Sequence, residues 1–254
     1  MIHRESLDHE VVLLRIEHGK VNALDTEVLS ELRTHLDALR GEGAPAIVLT
    51  GSGKAFSAGV DLYRVIDGGA EYVRHFLPLI GTAVRRLICY PRPVVAALNG
   101  HAIAGGFVLA CAADRRLMAA GSGKAGVTEL PVGVPFPWYA LEVVRVLAGE
   151  RLCRQMVYTG GLLDGAAAHA AGLVDELVAP DRLIERALEV VRQMAKIPHD
   201  SFRLVKRQLW EPVLSRAERE EEAHDREVLE VWEAPATHRA IRLFLQRTLE
   251  SKKS

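Results

Sequence analysis

Residues 97–109 read ALNGHAIAGGFVL, and residues 49–62 read LTGSGKAFSAGVDL. Each stretch leaves a short aliphatic run, 94–98 (VVAAL) or 46–50 (AIVLT), and enters a loop of small residues. Such runs, bounded by turn formers, read as buried strands, and residues 11–16 (VVLLRI) supply a third. Loops of Gly, Ala and Ser expose backbone N–H groups. The Gly105–Gly106 pair also opens a predicted helix over 105–112, whose positive end faces outward. Two such loops side by side could form an oxyanion hole, although small residues at a turn serve tight packing equally well.

Working outward, residues 26–40 carry Val28, Leu29, Leu32, Leu36 and Leu39 on one helical stripe, with Asp25 placed to cap it. A further helix is expected over 70–89. Strand and helix signals alternate, which predicts the α/β class. From about residue 181 only helices are expected, over 182–196, 201–210, 214–232 and 235–249, with Pro198, Pro212 and Pro235 between them. The charged run 216–227 reads as a solvated helix face. The last helix carries Ile241, Phe244, Leu245 and Leu249 on one side, a stripe that must be covered, and a helical tail of this kind suits subunit contact. The expected division is a core over 1–197 and a helical oligomerisation region over 198–254.

The 254 residues, 49% hydrophobic and 26% charged, suit a globular chain with a substantial core. A net charge of −1 gives no basic bias, so nucleic acid is not an expected partner. Cys89, Cys111 and Cys153 are widely spaced, and no ligand spacing suggests a metal. The opening MIHRESLDHEVV lacks a signal-peptide core, and no run approaches the ~18 apolar residues of a membrane helix. A cytoplasmic protein with no membrane association is the expectation.

Two phosphate-loop lookalikes fail on inspection. TGSGKA at 50–55 and GSGKA at 121–125 have Val48 and Met118 where a Walker loop needs its first glycine, and alanine follows each lysine. Ser57 is no nucleophile elbow, because Ala55 stands where that motif needs glycine.

The ordered set Asn22-Ala-Leu, GKAFSAGVDL, NGHAIAGG, Thr128-Glu-Leu-Pro-Val-Gly and AAAHAAGLVD (166–175) resembles the crotonase, or enoyl-CoA hydratase/isomerase, superfamily along nearly the whole chain. The resemblance implies a spiral core of repeated ββα units, followed by helices that assemble a homotrimer or a dimer of trimers. It implies an acyl-CoA thioester substrate and no cofactor, CoA being part of the substrate. The family's oxyanion donors fall on the backbone N–H groups of Val60 and Gly105. Ala23, Ala58, Asp61 and Leu62 match positions that line or shape the CoA channel. Lys54 falls near the expected adenine-phosphate end. Gly106 and Val108 follow on the helix after the first donor glycine.

The resemblance also singles out the acids. Hydratases of the family use two glutamates, and the two positions are Val108 and Glu129 here. One retained carboxylate suits movement of a double bond from the 3- to the 2-position, which needs a proton shuttle and no water. Phe136 and Trp138 lie in VPFPWY (134–139), similar to the aromatic stretch after the acid in 3,2-enoyl-CoA isomerases. His101 reads as a hydrogen-bonded structural residue, and so do Asp114 and Arg115. The expected activity is therefore 3,2-enoyl-CoA isomerisation. Hydration or another enolate-forming reaction of the family, using Glu129 with an acid from elsewhere such as Asp67 or Glu71, is the alternative. An acyl-CoA-binding protein without catalysis is the alternative of another class.

Overall fold

The computed structural model describes residues 1–7, 10–41, 43–121 and 123–250, with Leu249 described by its backbone alone. Three ββα units follow one another. They are β3 (Ala46–Gly51), β4 (Ala55–Ser57) and α2 (Leu62–Ile88); β5 (Val94–Leu98), β6 (His101–Ile103) and α3 (Gly105–Cys111); and β7 (Arg115–Ala119), β8 (Lys124–Gly126) and α4 (Glu129–Val132). The first strand of each unit joins one sheet and the second joins another, so the chain winds as the expected spiral. The larger sheet begins with β1 (Ile2–Ser6), antiparallel to β2 (Val11–Ile16). From β2 it continues in parallel through β3, β5, β7 and β10 (Glu176–Val178). The smaller sheet runs β4, β6 and β8 in parallel and ends on antiparallel β9 (Leu163–Asp164).

Alternation along the strands sends Leu14, Leu49 and Ala96 to one core cluster and Leu13, Val48 and Val95 to a second. The sheet is thus buried on both faces at β2, β3 and β5, which is why these strands read as near-continuous apolar runs. The first face is covered by α1 (Thr26–Leu39) and α2. The whole predicted stripe of α1 is buried, and Asp25 accepts from Val28 N at 2.9 Å as its cap. The second face is covered by α7 (Leu183–Ala195) through Ala187 and Val191.

Several expectations need correction. The helix expected over 70–89 is present, and a further helical segment from Leu62, joined to it through a kink at Gly69 (φ 60°, ψ −152°), precedes it within α2. Helices α5 (Trp138–Thr159) and α6 (Gly165–Ala170) were not expected. Pro212 does not divide the tail, because one helix, α8 (His199–Glu233), runs through it. Proline removes one N–H, but position 212 is exposed, so water can satisfy the carbonyl it leaves unbonded. The tail also shares its core with the rest of the chain. Val213, Ala217, Val228 and Trp232 of α8, and Ile241 of α9 (Pro235–Glu250), enter the main cluster. Buried Lys206 reaches Asp114 at 2.8 Å, and the same carboxylate oxygen accepts from Val94 N, so Asp114 is structural as expected. Cys89, Cys111 and Cys153 are free thiols.

Gly106 sits where α3 crosses β4. A Cβ there would lie 2.2 Å from Ser57 O, and backbone on both sides leaves nothing to yield. Gly106→Ala should lower unfolding free energy by about 3 kcal/mol, the upper end of overpacking costs. Urea denaturation checks this, and an unchanged midpoint would contradict the close packing of α3 on β4.

Candidate active site

The site forms where β4 and β6 end. After β4 the chain passes through Ala58, Gly59 and Val60 to Asp61, whose Oδ1 accepts from Tyr63 N (3.0 Å) and Arg64 N (3.2 Å) to cap α2. After β6 it turns at Ala104, which takes φ 51° and ψ −129°, a conformation that favours glycine, and enters α3 at Gly105. The loop after β4 is held against the loop before α1, where Leu24 N donates to Gly59 O (2.8 Å) and Asp61 N donates to Leu24 O (2.9 Å). Those bonds use the residues on either side of Val60. Neither the Val60 N–H nor the Gly105 N–H donates to an acceptor among the described residues. A free N–H at the first turn of α3 is what helix geometry leaves.

Val60 and Ala104, the residue before Gly105, line a cavity of about 230 Å³ together with Glu129. Its walls are apolar: Ile103, Val132, Val134, Leu162, Trp232 and Phe244. Glu129 opens the single turn of α4, which is closed by Gly133 N donating to Glu129 O at 3.0 Å. Its Oε2 accepts from Thr128 N at 2.8 Å, and it forms no ion pair among the described residues. Burial pushes its carboxyl up from 4.5 to about 7, against the opposing pull of the backbone N–H groups of Glu129 and Thr128. Among the described residues lining this cavity, Glu129 has the one ionisable side chain. A carboxylate near neutrality, beside loops that offer free N–H donors, can take a proton from carbon next to a carbonyl.

A second cavity, of about 300 Å³, shares Ala58, Val60 and Leu62 with the first, and adds His18, Lys20, Ala23, Asp61, Tyr63 and Leu245. His18 Nε2 lies 2.6 Å from Asp25 Oδ2, which ties this rim to the cap of α1.

The structure therefore brings Glu129, Val60, Ala58, Leu62, Ala23 and Asp61 together around two adjoining cavities, with Gly105 one residue behind the wall. Other expected residues lie elsewhere. Lys54 is exposed at the turn between β3 and β4 and lines neither cavity. Lys20 is the lysine at the second cavity. Phe136 and Trp138 are buried but away from Glu129. Phe136 faces a groove against α8, while Trp138 packs edge-on to Tyr139 under the Arg216 guanidinium. Gly106 and Val108 are buried behind the cavity wall, and position 108 brings no acid. Asp67 and Glu71 are exposed on α2, and neither lines either of these two cavities. His101 is structural, as expected, accepting from Lys124 N at 3.3 Å when Nδ1 is unprotonated.

The apolar stripe of α9 is turned inward on its own chain. Ile241 is buried in the core, Phe244 lines the Glu129 cavity and Leu245 lines the second; the Leu249 side chain falls outside the described residues. The aromatic wall of the site, Trp232 and Phe244, thus comes from the tail. The apolar stripe of α9 singled out Phe244 in the sequence as a covered residue, and nothing there singled out Trp232.

A spiral of ββα units with a buried carboxylate beside two strand-end loops defines the crotonase fold class. The chain matches the family described as enoyl-CoA hydratase/isomerase over residues 7–250, and it belongs to that family, which acts on acyl-CoA thioesters. It is 37% identical over 203 residues to a Thermus thermophilus protein named provisionally as an enoyl-CoA hydratase, covering 78% of this chain and 79% of that one. The structure of human mitochondrial delta3-delta2-enoyl-CoA isomerase superposes with a TM-score of 0.92 over 99% of both chains at 23% identity, a likeness of fold. A Mycobacterium tuberculosis enoyl-CoA isomerase superposes with a TM-score of 0.75 at 26% identity, covering 95% of this chain and 97% of that one. Among the described residues no helix is long and apolar enough to cross a membrane, and no group of His, Cys, Asp or Glu could hold a metal ion.

Burial of Glu129 has a cost that depends on pH. The folded protein holds the proton up to about pH 7, whereas the unfolded chain releases it near 4.5. Stability therefore falls as pH rises from about 4.5 to 7, by about 3 kcal/mol at most, and stays lowered above that window. Glu129→Gln cannot ionise. It should be more stable than wild type at pH 8 and within about 1 kcal/mol of it near pH 5. Denaturant titration at the two pH values checks the sign, and a variant equally destabilised at both would contradict it.

Proposed function

We propose that the chain moves the double bond of a 3-enoyl-CoA to the 2-position, with Glu129 as the sole proton shuttle. The observation that carries this reading is the single ionisable side chain in an apolar cavity. In the proposed reaction the Glu129 carboxylate removes a proton from C2 of the substrate. The electrons move onto the thioester oxygen, which accepts hydrogen bonds from the N–H groups of Val60 and Gly105. The enolate then collapses, C4 takes the proton back from Glu129, and the double bond lies between C2 and C3. A carboxyl near pH 7 is balanced for both halves of the cycle. Hydration would need a second group to hold water, and the position of the hydratases' other glutamate is buried Val108.

The second cavity is the proposed route for CoA, with Lys20 rather than Lys54 placed to meet its phosphates. Trimeric assembly is proposed through the outer face of α8, where Leu204, Val205 and Leu209 are exposed. A second reading, hydration, is favoured by the name of the Thermus thermophilus relative.

Assay of one preparation with both 3-enoyl and 2-enoyl thioesters separates the readings. Double-bond migration should dominate, and its kcat/KM should rise with pH and level off above about 7, because only ionised Glu129 accepts the proton. Glu129→Gln should lower isomerisation by roughly 10²–10⁴-fold while acyl-CoA affinity stays near wild type. Efficient hydration with negligible migration would reverse the order of the two readings. Turnover of neither substrate would leave a binding protein.

A further inference from the structure

We infer that Trp232 is the end wall of the acyl site and restricts the substrate to short acyl chains, an inference that rests on the reading of Glu129 as the acid facing the acyl group. Trp232 lines the same cavity as Glu129 and is buried to 2% exposure. Its indole is fixed at the far edge as well, because Nε1 donates to Pro135 O at 2.9 Å. A large ring held by a hydrogen bond and packed into the main core does not swing aside for a growing chain as a methionine would. Phe244, Val132, Val134 and Leu162 complete an apolar enclosure around it.

The space left is small. A cavity of about 230 Å³ lies below the roughly 300 Å³ at which pockets for larger ligands begin, which suits a hexenoyl group better than a dodecenoyl group. The wall comes from α8, far in sequence from the donors and from Glu129, so the same chemistry could be retuned for length without altering the residues that perform it.

The test compares kcat/KM for 3-hexenoyl-CoA and 3-dodecenoyl-CoA in wild type, Trp232→Ala, Trp232→Leu and Trp232→Phe. Wild type should prefer hexenoyl. Trp232→Ala should move the ratio roughly tenfold or more towards dodecenoyl, the scale on which hydrophobic pockets discriminate. Trp232→Leu keeps more of the core volume and should shift the ratio the same way if the alanine variant fails to fold. Trp232→Phe keeps the wall without the hydrogen bond and should preserve the wild-type ratio. Equal use of both lengths by wild type, or an unchanged ratio in both the alanine and leucine variants, would overturn the inference. Competition binding of hexanoyl-CoA and dodecanoyl-CoA reads the wall without turnover. Length discrimination that depends on Trp232 in a protein that does not isomerise would sustain the wall and reject the proposed reaction.

Discussion

A Cβ placed on Gly59 would lie 2.8 Å from Ala104 Cβ, 2.8 Å from Ile103 O and 3.1 Å from Gly105 N, so the two strand-end loops meet with no room for a side chain between them. Gly59 also holds φ +86°, which L side chains rarely adopt. Everything at the site depends on this approach. It sets Val60 and Gly105 side by side with their N–H groups unspent, while Leu24 takes up the hydrogen bonds on either side of Val60. The same closeness recurs one layer back, where Gly106 lies against Ser57 O. Two asparagines hold the turn behind it. Asn22 Nδ2 donates to Ser52 O and Ala55 O, and Asn99 Nδ2 donates to Gly53 O and Ala55 O. Asn22 itself sits at φ 53°, and Ala104 at φ 51°, so two non-glycine residues in left-handed conformations flank the donor loops. Backbone strain of this kind persists where surrounding contacts over-determine it.

Glu129 is the other half of the arrangement, and its environment runs against ordinary folding economy. It is a carboxyl set among aliphatic and aromatic walls without a cation, which raises its pKa towards neutrality at the expense of stability. The rest of the ionic pairing lies away from this cavity. Asp25 engages His18 and Arg64 beneath the second cavity, Asp175 engages Arg116, and Asp114 engages Lys206. These pairs fix loops and join helices to the sheet, whereas Glu129 is left with backbone donors alone.

Three strands of the larger sheet, β2, β3 and β5, were legible because they are buried and read as short continuous apolar runs. The spiral that joins them was implied by the family resemblance rather than by any run of residues. The convergence of Glu129, Val60 and Gly105 on one region, and Asp25 as a helix cap, were legible through ordered motifs or capping chemistry. The residues that were misplaced share a different cause. Phe136 and Trp138 are aromatics close in sequence to the acid, but α5 begins at Trp138 and carries that stretch away towards α8. Lys54 is near the donor loop in sequence, yet a tight turn leaves it in solvent. Trp232 and Phe244 lie about a hundred residues from Glu129, and no local pattern announces a wall supplied by the tail. The stripe that suggested a subunit contact turned out to cover the chain's own cavities. Amphipathicity says that a face is covered and leaves open by what.

The central claim, that one carboxylate carries the same proton from one carbon to another, is tested most directly by isotope tracing. A 3-enoyl-CoA carrying deuterium at C2 is turned over in ordinary water, and the 2-enoyl product is examined by NMR for label at C4. A buried, water-excluding Glu129 acting alone predicts that a substantial part of the label reappears at C4. Complete loss of the label to solvent, with C4 protonated from water from the first turnover, would contradict a single shuttle and point to two separate groups at the site.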